Sequence, residues 1–448
     1  MSDSAERLTS VADLVADLRA GETPRENWRV GTEHEKIGVY SDTRQRVPYE
    51  GPRGIGALLD RIAKVDGWDR VEEEGNAIAL QKDSASITLE PGGQLELSGA
   101  PLFSAKETCA EFNRHVDLVN EQSRDFGIEW LALGIDPFHA VDAIPHMPKA
   151  RYGIMRDYLP TRGGSGLLMM HSTATVQANF DYADEADMVA KLRMAMACSP
   201  ITSALFANSS ISEGRPNGYI SRRVEIWRDV DPDRCGILDF VFDENFGYRE
   251  YVEWALDVPM FFVVRDHRYL PAKGMTFREF LRSGFDGVPA TRADWNLHLT
   301  TVFPEVRLKR FIEVRGTDCV PRDLICALPT LWKGLLYHDG ALEAAWDLVR
   351  GWGAEDRNAA LMSAARHGLG GRVADRSMLD LAKQLVEISR EGLRGMAQRP
   401  DSAGDEGGFL EPLAVYLERG QSPGEIVLEA WRGEWRESPE RLIEFARY

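Results

Sequence analysis

Cysteine is scarce. The five in 448 residues (Cys109, Cys198, Cys235, Cys319 and Cys326) are odd in number and show no C-x-x-C spacing, which argues against a zinc ribbon or a disulfide framework. Reduced thiols are the expectation for such a set in a cytosolic chain. No apolar run approaches the roughly 20 residues of a membrane helix. The acidic start, MSDSAERLTSVADLVADLRAGETP, has no basic segment followed by an apolar one, as a secretory signal would. Cytoplasmic residence without a membrane partner is the expectation. Positive charge is in deficit, with 53 Lys and Arg against 71 Asp and Glu and a net charge of -18. Duplex binding relies on clustered Lys and Arg, so no nucleic-acid partner is expected. A phosphate loop is missing too: Arg162-Gly-Gly-Ser-Gly166 lacks the Gly-Lys-Ser/Thr ending that such a loop requires. The chain contains no internal repeat and no low-complexity tract.

Four stretches alternate apolar with polar or acidic residues: 31–35 (GTEHE), 86–98 (SITLEPGGQLELS), 173–181 (TATVQANFD) and 306–315 (VRLKRFIEVR). Successive strand residues point to opposite faces, so Glu33 and Glu35 fall together, and His34 and Lys36 fall opposite them. Ser86, Thr88, Glu90, Gln94, Glu96 and Ser98 share one parity, and Ile87, Leu89, Leu95 and Leu97 the other. Thr175, Gln177, Asn179 and Asp181 oppose Val176, Ala178 and Phe180. Arg307, Lys309, Glu313 and Arg315 oppose Val306, Leu308, Ile312 and Val314. Glu90 and Glu96 share a face only if the loop between their strands is odd. The three residues Pro91-Gly92-Gly93 meet that condition, with Gly93 supplying the left-handed conformation. An even loop would push a carboxylate into the apolar layer at high cost.

The expected fold is therefore α+β, with an antiparallel sheet apolar behind and acidic in front, and helices packed around it. Helical spacing marks a lead-in to about residue 20, then 55–65, 104–126 and 188–206. From about 319 to 448 strand alternation gives way to helices at 341–352, 378–396 and 423–431, interrupted by a polar loop at 399–408. The acidic strands run from 31 to 315, so no cut leaves a complete site. One catalytic domain, 1–448, is expected, with its sheet core at about 28–318.

Mg²⁺ takes oxygen ligands and is usually held by one or two carboxylates plus substrate phosphates. Five glutamates (Glu33, Glu35, Glu90, Glu96 and Glu313) suit two or three ions, which could clamp a nucleoside triphosphate. Lys309 and Arg315 add fixed positive charge on the same face. ATP chemistry without a phosphate loop follows. The competing reading of each strand alone is a half-solvated sheet.

The stretches GTEHEKIGVY, SITLEPGGQLELSGAPL, YGIMRDYLP, TVQANFDYADEADM, ALFANSSISEGRPNGYISRRVEIW, ALDVPMFF, GMTFREFL and TVFPEVRLKRFIEVRG closely resemble the plant and proteobacterial type of glutamate–cysteine ligase. The resemblance implies the fold of the glutamine-synthetase-like carboxylate–amine ligases, in which a curved antiparallel sheet forms a funnel. It implies that ATP phosphorylates the γ-carboxylate of glutamate and that the amine of cysteine then displaces phosphate. Matched motif by motif, it makes Glu33, Glu35, Glu90, Glu96 and Glu313 metal ligands, with Gln177 near a third ion or the substrate. Arg315 beside Glu313 is implied to stabilise the transferred phosphate. Arg222, Arg228 and Arg156, with Trp227, become candidates for binding glutamate, and Lys36, Lys82 and Lys309 for the nucleotide. The partners implied are glutamate, cysteine and ATP, on a monomer or weak homodimer. A sister ligase joining glutamate to another amine is the alternative. Arg162–Gly166 and Gly214–Gly218 are both open as the loop that shields the acyl phosphate. The cysteines match no pair of regulatory bridges, and Ala174 stands where plant enzymes commonly carry cysteine. Redox control is not carried over.

Overall fold

The computed structural model describes residues 6–398 and 402–448. Its centre is an antiparallel sheet of nine strands: β1 (Val30–Tyr40), β2 (Asp69–Glu73), β3 (Asn76–Lys82), β4 (Ala85–Leu89), β5 (Leu95–Ser98), β6 (Ile128–Leu131), β7 (Val176–Phe180), β8 (Val306–Leu308) and β9 (Ile312–Val314). They lie in the order β8-β9-β7-β1-β5-β4-β3-β2, and β6 pairs the far half of β1. The long strand β1 thus joins segments distant in sequence. It runs antiparallel to β5 on one side and to β7 on the other.

The helices that matter here are α1 (Ile55–Asp66), α2 (Ala105–Ser123), α3 (Ala150–Tyr158), α4 (Glu185–Leu205), α5 (Arg222–Trp227), α6 (Ala327–Leu336) and α7 (Met378–Ala397). Ser104 caps α2 reciprocally with Glu107, and Ser221 caps α5 through the Val224 amide, each satisfying an amide that the first turn leaves without a partner. The apolar strand faces do what alternation demands. Ile87, Leu89, Leu95, Leu97, Val176, Phe180, Val306 and Ile312 are buried to 1% exposure or less. Against this back pack α1 on β3, α2 on β1 and β6, α4 on β8 and β9, and α6 on β7. The hydrophobic core behind the sheet continues through the helices beyond residue 319 to Ala446.

The helices expected at 55–65, 104–126, 188–206 and 378–396 stand as 55–66, 105–123, 185–205 and 378–397. Of the polar loop at 399–408, residues 399–401 lie outside those described. The expectation of reduced thiols is corrected at one pair, because Cys109 on α2 and Cys326 at the start of α6 form a disulfide across 217 residues of sequence. Cys198, Cys235 and Cys319 are free.

Candidate active site

Strand register assembles the front face. Glu33 lies between Ser98 and Gln177, and Glu35 stands opposite Glu96. Thr88 faces Glu96 from β4, and Glu313 faces Asn179 and Arg307. The turn between β4 and β5 is the odd loop: Leu89 pairs with Leu95, the Glu90 amide donates to Gln94 O at 2.9 Å, and Gly93 has φ +81°. Glu90 and Glu96 consequently reach the same side. The carboxylates of Glu35, Glu90 and Glu96 each place an oxygen within 4.8 Å of the others.

These groups line a cavity of about 470 Å³ together with Glu33, Gln177, Arg223, Trp227, Lys309 and Arg315. Burial, then repulsion from Glu313 and Glu96, pushes Glu33 up to about 7. Burial and Glu90 push Glu96 to about 7, and burial with Glu90 and Glu96 raises Glu35 well above the ordinary carboxylate range. Protein donors do little to relieve this. Asn179 donates to Glu33 at 3.1 Å, the Thr175 amide to Glu35 at 3.0 Å, and the Ser98 hydroxyl to Glu96. Buried carboxylates that repel one another take up either protons or cations. An all-oxygen donor set of this kind fits a hard divalent cation.

Glu313 is in a different state. Burial would raise it, but Arg307, Lys309 and Arg315 outweigh that and hold it well below the ordinary value. Arg307 grips it at 2.7 Å, Lys309 lies at 2.8 Å, and Arg315 also contacts it. Arg315 donates to Gln177 Oε1 at 2.7 Å. The front therefore has an acidic centre flanked on the β8–β9 side by a fixed cationic block.

Of the residues expected to bind glutamate, the structure brings only Trp227 to the cavity. Arg222 pairs with Glu225 and lies on the Tyr219 ring, and Arg228 donates to Asn358. Arg156 does not line the cavity either; it stands near His146 and His171. The arginine of this segment that does line the cavity is Arg223, 3% exposed, which donates to Arg315 O at 3.1 Å and lies over the Trp227 ring. The segment is the helix α5, where residues four apart share a face. The spacing of Arg223 and Trp227 was the available signal.

Two expected nucleotide lysines also lie elsewhere. Lys36 is behind the sheet, as parity requires, and donates to His34 O at 3.0 Å. Burial pushes its ammonium down to about 8. His34 shares that side, its ring tilted against Phe112 with centroids 4.6 Å apart. Lys82 lines a separate cavity and pairs with Asp66 at 3.2 Å. In their place Lys149 and Arg151, just before and within α3, line the main cavity, near Glu90. Burial, followed by Arg151, lowers Lys149 to about 8. No alternation marks these two in sequence, because they lie at a loop-to-helix junction.

An antiparallel sheet that lines one cavity with carboxylates beside fixed guanidinium groups, without a phosphate loop, has the groups that a carboxylate–amine ligase requires. Residues 29–444 match the model of the glutamate–cysteine ligase family 2, and the chain belongs to that family. Chloroplastic glutamate–cysteine ligase A of Oryza sativa subsp. japonica is 43% identical over 439 residues, covering 97% of this chain and 87% of the relative. The chloroplastic enzyme of Solanum lycopersicum is 43% identical over 448 residues, covering 99% and 84%. In fold, the chain is similar to the glutamate–cysteine ligase of Francisella tularensis solved in complex with AMP, with TM-score 0.56 at 13% identity over 94% of this chain and 87% of the other.

Proposed function

We propose that this protein joins the γ-carboxylate of glutamate to the amine of cysteine at the expense of ATP, releasing ADP, phosphate and γ-glutamylcysteine. Family membership supports the reaction, and the observation that carries its placement is the close group of half-buried Glu35 and Glu90 with buried Glu96, lining one cavity with Arg315. A carboxylate is a poor acyl donor because its leaving group would be oxide. Transfer of the γ-phosphoryl group of ATP to a γ-carboxylate oxygen breaks the bond to ADP and supplies phosphate as a leaving group. The amine then forms the new C–N bond and loses a proton as phosphate departs.

Arg315, fixed by Glu313 and Gln177, is aimed at the charge on the phosphoryl group in transfer. A preorganised cation there stabilises the transition state without reorganising. Arg223 and Trp227 are assigned to the glutamate α-carboxylate, since a buried guanidinium offers a bidentate grip. Lys149 and Arg151 are assigned to the polyphosphate, with Lys309 on the other side. Glu35, Glu90 and Glu96 would hold one Mg²⁺, and Glu33 with Gln177 and Glu313 would hold another. When bound, Mg²⁺ supplies charge neutralisation to the phosphates. Glu313 is already committed to three cations, so its part in holding metal requires those contacts to loosen.

The acyl phosphate has to be kept from water. Arg162–Gly166 is pinned by Arg162 to Asp231 and Asp233, with Gly163 against Asp229. Gly214–Gly218 is held as well, with the Gly214 amide donating to Pro137 O at 2.8 Å and Asn217 Nδ2 to Ser209 O at 2.9 Å. Incubation with ATP, Mg²⁺, glutamate and cysteine, read by mass spectrometry, is expected to give γ-glutamylcysteine. ADP release without that product would sink the reading.

A further inference from the structure

The carboxylate of Glu90 has no hydrogen bond or salt bridge of its own among the described residues. Its aim is set by the backbone of the turn that carries it. That backbone is held at nearly every polar atom, partly by residues that line the cavity (Lys149, Tyr152 and Gln94) and partly by Met147 and Arg46, which do not. Leu89 O accepts from Lys149 Nζ at 2.8 Å and from the Tyr152 hydroxyl at 2.6 Å. Pro91 O accepts from the Met147 amide at 3.1 Å, and the Gly92 amide donates to Gln94 Oε1 at 3.0 Å. Gly92 O accepts from Arg46 Nη2 at 2.5 Å. Arg46 in turn is fixed by a salt bridge of 3.0 Å to Asp136, the two side chains being 1% and 0% exposed.

The Arg46–Asp136 pair is outside the cavity lining, so it touches neither substrate nor reacting atoms. Burying such a pair costs desolvation that apolar residues of similar volume avoid. Stability alone is a weak reason for placing it here. Its geometry gives a better one. Asp136 also accepts from the Phe138 and His139 amides at 2.8 and 3.0 Å and from the His139 ring, and its own amide donates to Ser172 O at 2.7 Å. The residue next to Ser172 in sequence, Thr173, offers its carbonyl to Gln94 Nε2 at 2.7 Å. Arg46 therefore ties the apex of the Glu90 turn to the hydrogen-bonded loop at Asp136, whose neighbour at Ser172–Thr173 is also fastened to Gln94 just before β5.

We infer that the buried Arg46–Asp136 pair is a positioning device that fixes the Pro91–Gly93 turn and thereby aims Glu90 into the cluster with Glu35 and Glu96. The inference rests on the metal role proposed for those carboxylates. A supporting shell that orients a metal ligand commonly changes metal affinity about 10–100-fold when removed, whereas a purely structural pair leaves it unchanged in the folded protein.

The test is Mn²⁺ binding to the ligand-free full chain, read by electron paramagnetic resonance, for wild type, R46M, E90Q and R46M/E90Q. The expected result is at least a tenfold weaker Mn²⁺ affinity for R46M, with R46M/E90Q no weaker than E90Q because both act through one side chain. R46M/D136N, which leaves no lone buried charge, is expected to give the same result should R46M fail to fold. Mn²⁺ affinity within twofold of wild type in a variant with native circular dichroism overturns the inference, as do losses that multiply in R46M/E90Q. A wild type that ligates glutamate and cysteine but binds no Mn²⁺ at these carboxylates overturns the inference while leaving the ligase reading intact. A wild type that binds Mn²⁺ but forms no product overturns the reaction instead.

Discussion

At the scale of single residues, charge balance decides the chemistry. Arg315 faces the cavity with its guanidinium pinned by Glu313 and Gln177. Arg315→Met is expected to lower kcat by about 100–1000-fold, the cost of losing one preorganised donor at a developing charge, with little change in the KM for glutamate. Steady-state kinetics decide it; an unchanged kcat removes Arg315 from the mechanism. Arg223→Met is expected to act the other way, raising the KM for glutamate more than tenfold. Equal effects on kcat and on kcat/KM would place Arg223 at the transferred phosphate instead.

Glu33 and Glu96 carry the pH dependence. Their folded pKa values, about 7, lie above the ordinary 4.5, so the folded state binds more protons than the unfolded state between those limits. Stability of the metal-free protein accordingly falls as pH rises from 4.5 to 7, by at most about 1.4 kcal/mol per pH unit for each proton concerned. A divalent cation relieves the repulsion and competes with the same protons. Melting curves from pH 5 to 8 in chelator and in Mg²⁺ are expected to diverge as pH rises. Parallel curves would show that these carboxylates do not hold metal.

At the scale of elements, the turn between β4 and β5 is the narrowest constraint. A Cβ on Gly92 would sit 2.2 Å from His171 O, a backbone atom that cannot swing aside, and Gly93 needs φ +81°. Gly92→Ala is expected to destabilise by about 1–3 kcal/mol, the usual range for overpacking, and to weaken metal binding with it. Denaturant unfolding and Mn²⁺ titration on the same variant check both halves.

The strands themselves were legible in the sequence because a two-residue period is forced by the pleat. Parity correctly put Glu33, Glu35, Glu90 and Glu96 in front and His34 behind. The same rule gave no help at α5. There a helical period replaced it, and Arg223 rather than Arg222 turned to the cavity. Lys309, placed by its parity, lines the cavity, whereas Lys36 and Lys82 rest on motif resemblance alone. Lys36 went behind the sheet, as its parity had said it would, and Lys82 to a separate cavity.

At the scale of the whole molecule, the disulfide between Cys109 and Cys326 fastens α2 to α6, two helices that pack behind the sheet on β1 and β7. The loop it closes is 217 residues long in sequence separation. Chain-entropy reasoning puts its contribution at about 5 kcal/mol, an upper figure since such cross-links commonly deliver 2–4. Reduction or Cys109→Ser is expected to lower the melting temperature by several degrees and leave the cavity residues in place. An unchanged melting temperature under dithiothreitol would show that the bridge adds nothing to the fold.

The sequence alone determined which residues share a face wherever a strand was long enough for its period to speak, and it determined the odd loop that keeps Glu90 with Glu96. Those are local rules, settled by the geometry of one chain segment. Tertiary structure decided everything that depends on distance between segments: that β7 lies beside β1 and β9 beside β7, closing the acidic centre with the Arg315 block, that Cys109 meets Cys326, and that Arg46, 46 residues before Gly92, holds the turn. Such contacts follow from packing apolar faces behind the sheet. No spacing along the chain encodes them.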